Sequence, residues 1–286
     1  MKTLIVQGGG FRTGFTAGIL DAFIALDYCP FDRILGNSGG AISASYYLSK
    51  QYGATVQAMR ILAEDPDFVN IKGIIKDRGY MNIDHLRSVA EELVPFNVEA
   101  AVENAKDKDV SFVATSRTNG KALYLKPEKS DWVDVVIASS TLPFVTKGVH
   151  QIRGLDLMDG GWSDPIPAKW AVETGSSDIL ILRTTHIDRK VVQSWPDYFG
   201  SIYFRSHPEL SLCFAENHLI YNNTMDFLSS PPQNIKLEQL WPEEGLKCTT
   251  YKYSVSGINA DYRYGLQVGI DYVRNVFQSE LSERIL

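Results

Sequence analysis

Ser38 stands in Gly36-Asn37-Ser38-Gly39-Gly40, a Gly-x-Ser-x-Gly string between the apolar Ile34-Leu35 and a run of small residues that opens on Ala41-Ile42. A serine at a cramped strand-to-helix turn has its hydroxyl pushed above the sheet edge, because the flanking glycines remove side chains that would clash. The turn also sets the serine at a helix N-terminus, where free backbone N–H groups and the helix dipole favour developing negative charge. A Gly-rich turn with an inert surface serine would read the same way, so the context has to decide.

Two further clusters supply that context. Gly8-Gly9-Gly10-Phe11-Arg12-Thr13-Gly14 follows the apolar Leu4-Ile5-Val6 and leads into a helix. Strand, glycines and helix serve two mechanisms. In a dinucleotide fold the glycines admit a pyrophosphate; in an acyl-transfer enzyme they expose N–H groups to an oxyanion. The dinucleotide fold wants an acidic residue at the end of its second strand, and here that strand ends in the serine string, which favours the oxyanion. Arg12 reads as a charge supporting the turn, with an anionic head group as the other use. The third cluster is Asp159-Gly160-Gly161, at the end of a short apolar strand where sheet proteins place ligands. A plain Asp-Gly turn is the competing reading.

The elements that must position these residues follow from periodicity. Buried strands are expected at 2–7, about 33–36, near 154–158 and at 179–182, with helices at about 13–26, 39–51, 54–64, 83–94 (ended by Pro95), 98–106, 131–139 and from 168. Residues 110–115 and 122–125 flank Asn119-Gly120 and read as an antiparallel hairpin. Residues 66–82 are irregular, with Ile71, Ile74, Ile75, Tyr80 and Met81 among charges. After about 190 the character changes. An aromatic loop, Trp195 to Phe204, reads as a packing cluster, with a channel or interfacial rim as the second choice. A helix at 209–229 stopped by Pro231-Pro232, strands at 234–240 and 249–254, and a helix from 260 to 281 complete the chain. This gives a catalytic domain at 1–190 and a mainly helical extension at 191–286 packed on it.

The 286 residues allow a sizeable core, and 44% apolar with 22% charged residues is ordinary for a globular protein. A net charge of −6 without a basic stripe gives no reason to expect nucleic acid. The N-terminal apolar run is too short for a signal peptide, and no stretch approaches a bilayer span. Cys29, Cys213 and Cys248 have no metal-type spacing and suit a reducing compartment. A cytoplasmic protein with at most transient membrane contact is expected.

The three clusters, in this order, resemble the patatin-like phospholipases. Gly8-Gly9-Gly10-Phe11-Arg12 resembles the family's oxyanion motif, Gly36-Asn37-Ser38-Gly39-Gly40 its serine elbow and Asp159-Gly160-Gly161 its Asp-Gly-Ala/Gly motif. Ala138-Ser139-Ser140 with Pro143 resembles the small-residue stretch that precedes the aspartate. The likeness covers about residues 2–185, and one position departs: glycine is usual where Thr13 stands. The resemblance implies a three-layer α/β/α fold with a mostly parallel sheet. It also implies hydrolysis of lipid acyl esters without metal or cofactor.

The implied dyad is Ser38 as nucleophile and Asp159 as base, with N–H groups of Gly8, Gly9, Gly10 and Gly39 as the oxyanion hole. Arg12, Gly36, Gly40, Gly160 and Gly161 support the motifs. A carboxylate is a weak base, so Asp159 is expected in an apolar setting that raises its pKa, with Phe11, Leu142, Phe144 and Trp162 as candidate lining. His186, just past a strand, competes as the base; His85 and His150 read as packing residues. Asp164 reads as a helix cap ahead of Pro165. The competing functions are an esterase or acyltransferase on small soluble acyl donors and a non-enzymatic nucleotide- or lipid-binding protein.

Overall fold

The computed structural model describes residues 1–66, 68, 81–250 and 252–285. Most of the irregular stretch expected at 66–82 therefore lies outside the described residues. Its strands are β1 (Lys2–Val6), β2 (Arg33–Asn37), β3 (Asp109–Ser116), β4 (Ala122–Leu125), β5 (His150–Ile152), β6 (Leu155–Asp159), β7 (Asp178–Leu182) and β8 (Lys236–Leu240). Its helices are α1 (Thr13–Ala25), α2 (Gly39–Leu48), α3 (Ala54–Glu64), α4 (His85–Ser88), α5 (Val98–Ala105), α6 (Trp132–Ser140), α7 (Ala168–Glu173), α8 (Trp195–Tyr203), α9 (Pro208–Ser229) and α10 (Val255–Ile285).

Among the described residues one sheet holds all eight strands, hydrogen-bonded in the order β5-β6-β3-β2-β1-β7-β8, with β4 also on β3. β2 and β7 flank β1 in parallel, and β3 and β8 extend the parallel array on either side. β1 is central, so its apolar residues serve both faces. Leu4 and Val6 belong to one core with Phe15, Ile19 and Ala44, and Ile5 to another with Ala168, Ile181 and Met225. Helices thus cover both faces, giving the three-layer α/β/α architecture.

β3 is where the sheet becomes mixed. β4 pairs antiparallel along residues 112–115, which takes one flank of β3. β2 and β6 must share the other flank, and they meet end to end: Asn37 pairs with Val113 and Asp159 with Ala114. Although β6 runs antiparallel to β3, its last residue arrives beside the last residue of β2.

The C-terminal region builds into this framework. β8 adds to the edge of β7 in register, from Asp178 opposite Lys236 to Leu182 opposite Leu240. α10 lies against α1 at backbone contact. A Cβ on Gly265 would sit 1.8 Å from the Phe15 carbonyl oxygen, and one on Gly18 would sit 2.1 Å from that of Tyr262. Asp21 of α1, buried, accepts hydrogen bonds from Tyr262 Oη (2.8 Å) and the Gly53 N–H (2.9 Å), tying the two helices to the start of α3.

Several expectations need correction. The aromatic segment from Trp195 is a helix rather than a loop, started by a capping box in which Ser194 and Asp197 satisfy each other's backbone N–H. Ser194-x-x-Asp197 with Pro196 was the signal for it in the sequence. The helix expected at 83–94 is only α4, followed by a π turn at Val89–Leu93. Residues 249, 250 and 252–254 form no strand, and β5 adds a strand ahead of the one expected near 154–158. Among the described residues no helix is long and apolar enough to cross a membrane.

Candidate active site

Ser38 occupies the turn between β2 and α2 with φ 54° and ψ −129°, a conformation that L-residues avoid. The surrounding chain leaves no room to relax it. A Cβ on Gly40 would lie 2.1 Å from the Val6 carbonyl oxygen, and one on Gly36 would lie 2.8 Å from Ala41 Cα. Side chains at either position would therefore pry the elbow from the sheet. The Ser38 N–H donates to Ser139 Oγ (3.0 Å), which in turn donates to the Val113 carbonyl (2.6 Å). Ser139 thus fastens the elbow to the end of β3.

The glycine loop presses directly on the elbow. A Cβ on Gly8 would come within 2.8 Å of Ser38 Cβ, so the loop approaches the serine at backbone distance. Gly10 turns the chain at φ 56°, a left-handed value suited to glycine, and opens a 3-10 turn, Gly10–Arg12. Thr184 Oγ1 donates to the Gly8 carbonyl (2.6 Å) and Thr13 Oγ1 to that of Gly10 (2.6 Å). These bonds occupy the Gly8 and Gly10 carbonyls and pin the loop in place beside the elbow. Gly39 is the first residue of α2, so its N–H has no intrahelical acceptor.

Asp159 arrives from the end of β6. Its backbone N–H donates to the Thr141 carbonyl (2.8 Å), and its own carbonyl accepts from Thr115 Oγ1 (2.8 Å). Oδ1 accepts the Gly161 N–H (2.8 Å), so Asp159 also makes the Asp-Gly turn that the alternative reading expected. The carboxyl faces the Ser38 hydroxyl, which favours its ionised form. Oδ2 is buried and makes no bond of full hydrogen-bond geometry, so the serine–carboxyl contact is a loose one. Burial, which strips water from the charged form, raises the Asp159 pKa to about 6; the Ser38 hydroxyl and the Gly161 N–H only partly oppose it.

A cleft opens beside Ser38, enclosing about 1030 Å³ of space, open solvent at its mouth included. Ile42 and Tyr46 of α2, Ala58, Met59 and Leu62 of α3, Leu86 of α4 and Val136 of α6 are among its walls, with Gly10, Phe11 and Leu142 near the serine's loops. Among the described residues no charged side chain lines it. The site is therefore a serine at the wall of an apolar cleft, with a buried carboxyl of raised pKa behind it.

A family model described as patatin-like phospholipase matches residues 4–172, more than half of the chain and all three motifs. The chain belongs to the patatin-like phospholipase family. That places it among the lipid acyl hydrolases. A second model, a domain of unknown function (DUF6363), matches residues 207–279. The uncharacterized protein YjjU of Escherichia coli strain K12 is 25% identical over 275 residues, covering 96% of this chain and 77% of its own. Among solved structures, VipD from Legionella pneumophila is similar at 15% identity and a TM-score of 0.45, over 97% of this chain and 67% of that one.

Within this patatin-like site most of the expected residues come together, and some do not. Phe11 and Leu142 line the cleft, but Phe144 and Trp162 turn away from it and pack on Phe214. Asp164 caps no helix; its carboxylate accepts from Tyr124 Oη (2.7 Å), and the following helix has no side-chain cap. Arg12 folds over the loop it follows, its Nε 2.9 Å from where a Cβ on Gly9 would be. Thr13, which departs from the family's glycine, fills the space against Gly39: a Cβ there would be 2.9 Å from its methyl group. None of the histidines engages the serine. His186 is half exposed and accepts the Asp188 N–H, His85 pairs with Asp65 (2.7 Å) and His150 with Asp134 (2.9 Å).

Two contacts had no signal in the sequence. Thr250 packs on Gly10 and donates to the Gly9 carbonyl (3.4 Å), and Tyr253 stacks on Phe11 with ring centroids 3.8 Å apart. The C-terminal region thus touches the glycine loop from more than two hundred positions away.

Proposed function

We propose that this protein hydrolyses carboxylic esters of lipids, as a phospholipase A or lysophospholipase does, with Ser38 as nucleophile and Asp159 as general base. One observation carries the reading: a serine held at φ 54° faces a buried carboxyl of pKa about 6 at the wall of a cleft with no described charge in it. A base of that pKa is mostly ionised at neutral pH and still accepts a proton far more readily than an ordinary aspartate.

The acyl chain lies in the cleft and brings the ester carbonyl over Ser38. Oγ attacks the carbonyl carbon while Asp159 takes its proton. The oxyanion that forms is held by N–H groups of the Gly8-Gly9-Gly10 loop and of Gly39. Each such donor is worth about 2.7–4 kcal/mol in comparable sites. Collapse of the intermediate expels the alcohol, which recovers the proton from Asp159, and leaves an acyl-serine. Water then attacks the acyl carbon, again losing its proton to Asp159, and Ser38 is restored. Arg12, Gly36, Gly40, Gly160 and Gly161 shape the two turns.

On this reading residues 1–190 carry the chemistry and 191–286 form an extension packed on them. All three cysteines are free, which supports a reducing, cytoplasmic setting with the protein at most peripheral to membrane. The test is labelling by a fluorophosphonate together with turnover of a lysophospholipid. Wild type is expected to do both, Ser38→Ala neither, and Asp159→Asn to turn over roughly 10²- to 10⁴-fold more slowly. Labelling that survives Ser38→Ala would place the nucleophile elsewhere.

A further inference from the structure

α8 is an amphipathic helix turned inside out. Its apolar residues recur at Trp195, Tyr198, Phe199, Ile202 and Tyr203, the spacing of a single helical face. That face is in solvent: the five are 74%, 46%, 59%, 44% and 68% exposed. Inward, the helix presents Gly200, whose missing side chain admits the Phe214 ring, and Asp197, which is occupied in the cap. The tilted rings of Trp195 and Phe199 (6.0 Å between centroids) support each other, so the stripe is preformed. Leu212, at the start of α9, is also half exposed.

The stripe runs to the lip of the cleft. Tyr203 meets Phe144 edge to face at 5.6 Å, and Phe144 is itself 45% exposed. Phe144 sits at the crest of a turn closed by the Thr146 N–H on the Leu142 carbonyl (2.9 Å). Leu142 and Thr146, on either side of it, line the cleft. One short turn therefore has the cleft on one side and the aromatic face on the other.

We propose that the outward face of α8, with Phe144, is a docking surface for a lipid bilayer, seating the mouth of the cleft against the source of its substrate. The purpose rests on the ester-hydrolysis reading; the binding does not. The composition favours a bilayer over a protein partner. Trp and Tyr, with an apolar body and a polar tip, suit the head-group region, and a helix lying in that plane needs only one apolar face. Exposed Arg189 and Arg205 precede and follow the stripe in sequence and can meet anionic head groups, beside the exposed acids Asp188 and Glu209; the one acid within the stripe, Asp197, is buried.

The experiment is co-sedimentation of the full chain with vesicles of phosphatidylcholine, with and without phosphatidylglycerol, comparing wild type with the double variant Trp195→Ser/Phe199→Ser. Wild type is expected to pellet, more strongly with phosphatidylglycerol. The variant is expected to bind roughly tenfold or more weakly, since two large rings no longer enter the interface. Its melting temperature and its turnover of a soluble short-chain nitrophenyl ester should match wild type, because both side chains are exposed and outside the cleft. Wild type remaining in the supernatant overturns the proposal, as does a variant that pellets equally. So does a dimer in wild type that the variant dissolves, which would make the face an interface between copies. A variant that also loses turnover of the soluble ester would show α8 acting through the cleft and likewise overturn docking. Vesicle binding by a wild type that hydrolyses no ester would leave docking standing and end the hydrolase reading.

Discussion

Replacing Asp159 by Asn should stabilise the protein while disabling it, and the gain should depend on pH in a fixed direction. Burial raises this carboxyl from its ordinary 3.8 to about 6. At about 1.36 kcal/mol per pH unit, that rise corresponds to about 3 kcal/mol by which folding disfavours the ionised form. Because the folded pKa lies above the unfolded one, the folded state binds the proton more tightly. The favourable contribution of the protonated acid is fully present below about pH 4 and is lost as the pH rises through about 6. Asn has the same shape, keeps an oxygen to accept the Gly161 N–H and carries no charge to desolvate. Urea denaturation of wild type and Asp159→Asn from pH 4 to pH 8 should therefore give a difference near zero at the acid end. The variant should become more stable by up to about 3 kcal/mol at pH 7.5–8. Asp21 and Asp164, whose pKa values burial also raises to about 6, titrate in both proteins and cancel in the difference. A difference that is flat with pH, or a variant less stable at pH 8, would refute the claim that burial controls this carboxyl.

With ionised Asp159 as the proposed base, the pH profile of kcat/KM should rise through about pH 6 with a slope of one; a profile level from pH 5 to 8 would count against that role. Ser139→Ala removes both the acceptor of the Ser38 N–H and the donor to Val113, and should cost about 2 kcal/mol in urea denaturation as well as lowering kcat. Ala58→Trp thickens the cleft wall in α3 away from the elbow. The ratio of kcat/KM for palmitoyl over butyryl esters should fall by roughly tenfold, with the short-chain rate kept. Gly265→Ala forces α10 away from Phe15, where the added Cβ would stand 1.8 Å from a carbonyl oxygen, and should destabilise by about 2–3 kcal/mol.

The parts of this molecule that could be read from its sequence are those in which local chemistry and position coincide. The run Leu4-Ile5-Val6 followed by glycines needs a buried strand and a tight turn, and Gly36 to Gly40 needs an elbow. Asp159 could be singled out by its Gly-Gly neighbours, but the reason it reaches Ser38 is topological. β6 runs antiparallel to β3 and abuts the end of β2, and nothing in residues 155–159 encodes that. The apolar spacing of α8 reads as a cluster of loop aromatics unless the capping box that Ser194 and Asp197 form is weighed with it. Phe144 and Trp162 turn onto Phe214 instead of the cleft, because apolar character near a motif does not say which way a ring turns. Thr184, Thr250 and Tyr253 brace the glycine loop from far along the chain, and such long-range contacts leave no local trace.

The grip of α10 on α1, together with Thr250 and Tyr253 on the glycine loop, has a consequence for how the protein is made. Ser38 and Asp159 leave the ribosome before the supports of the glycine loop, Thr250 and Tyr253, and before Gly265 docks on α1. On the proposed mechanism, a growing chain would carry Ser38 through much of its synthesis without a finished place to stabilise charge. Arrested nascent chains of increasing length, probed with a fluorophosphonate, should stay dark through the emergence of β8 and light up only once α10 is free to dock.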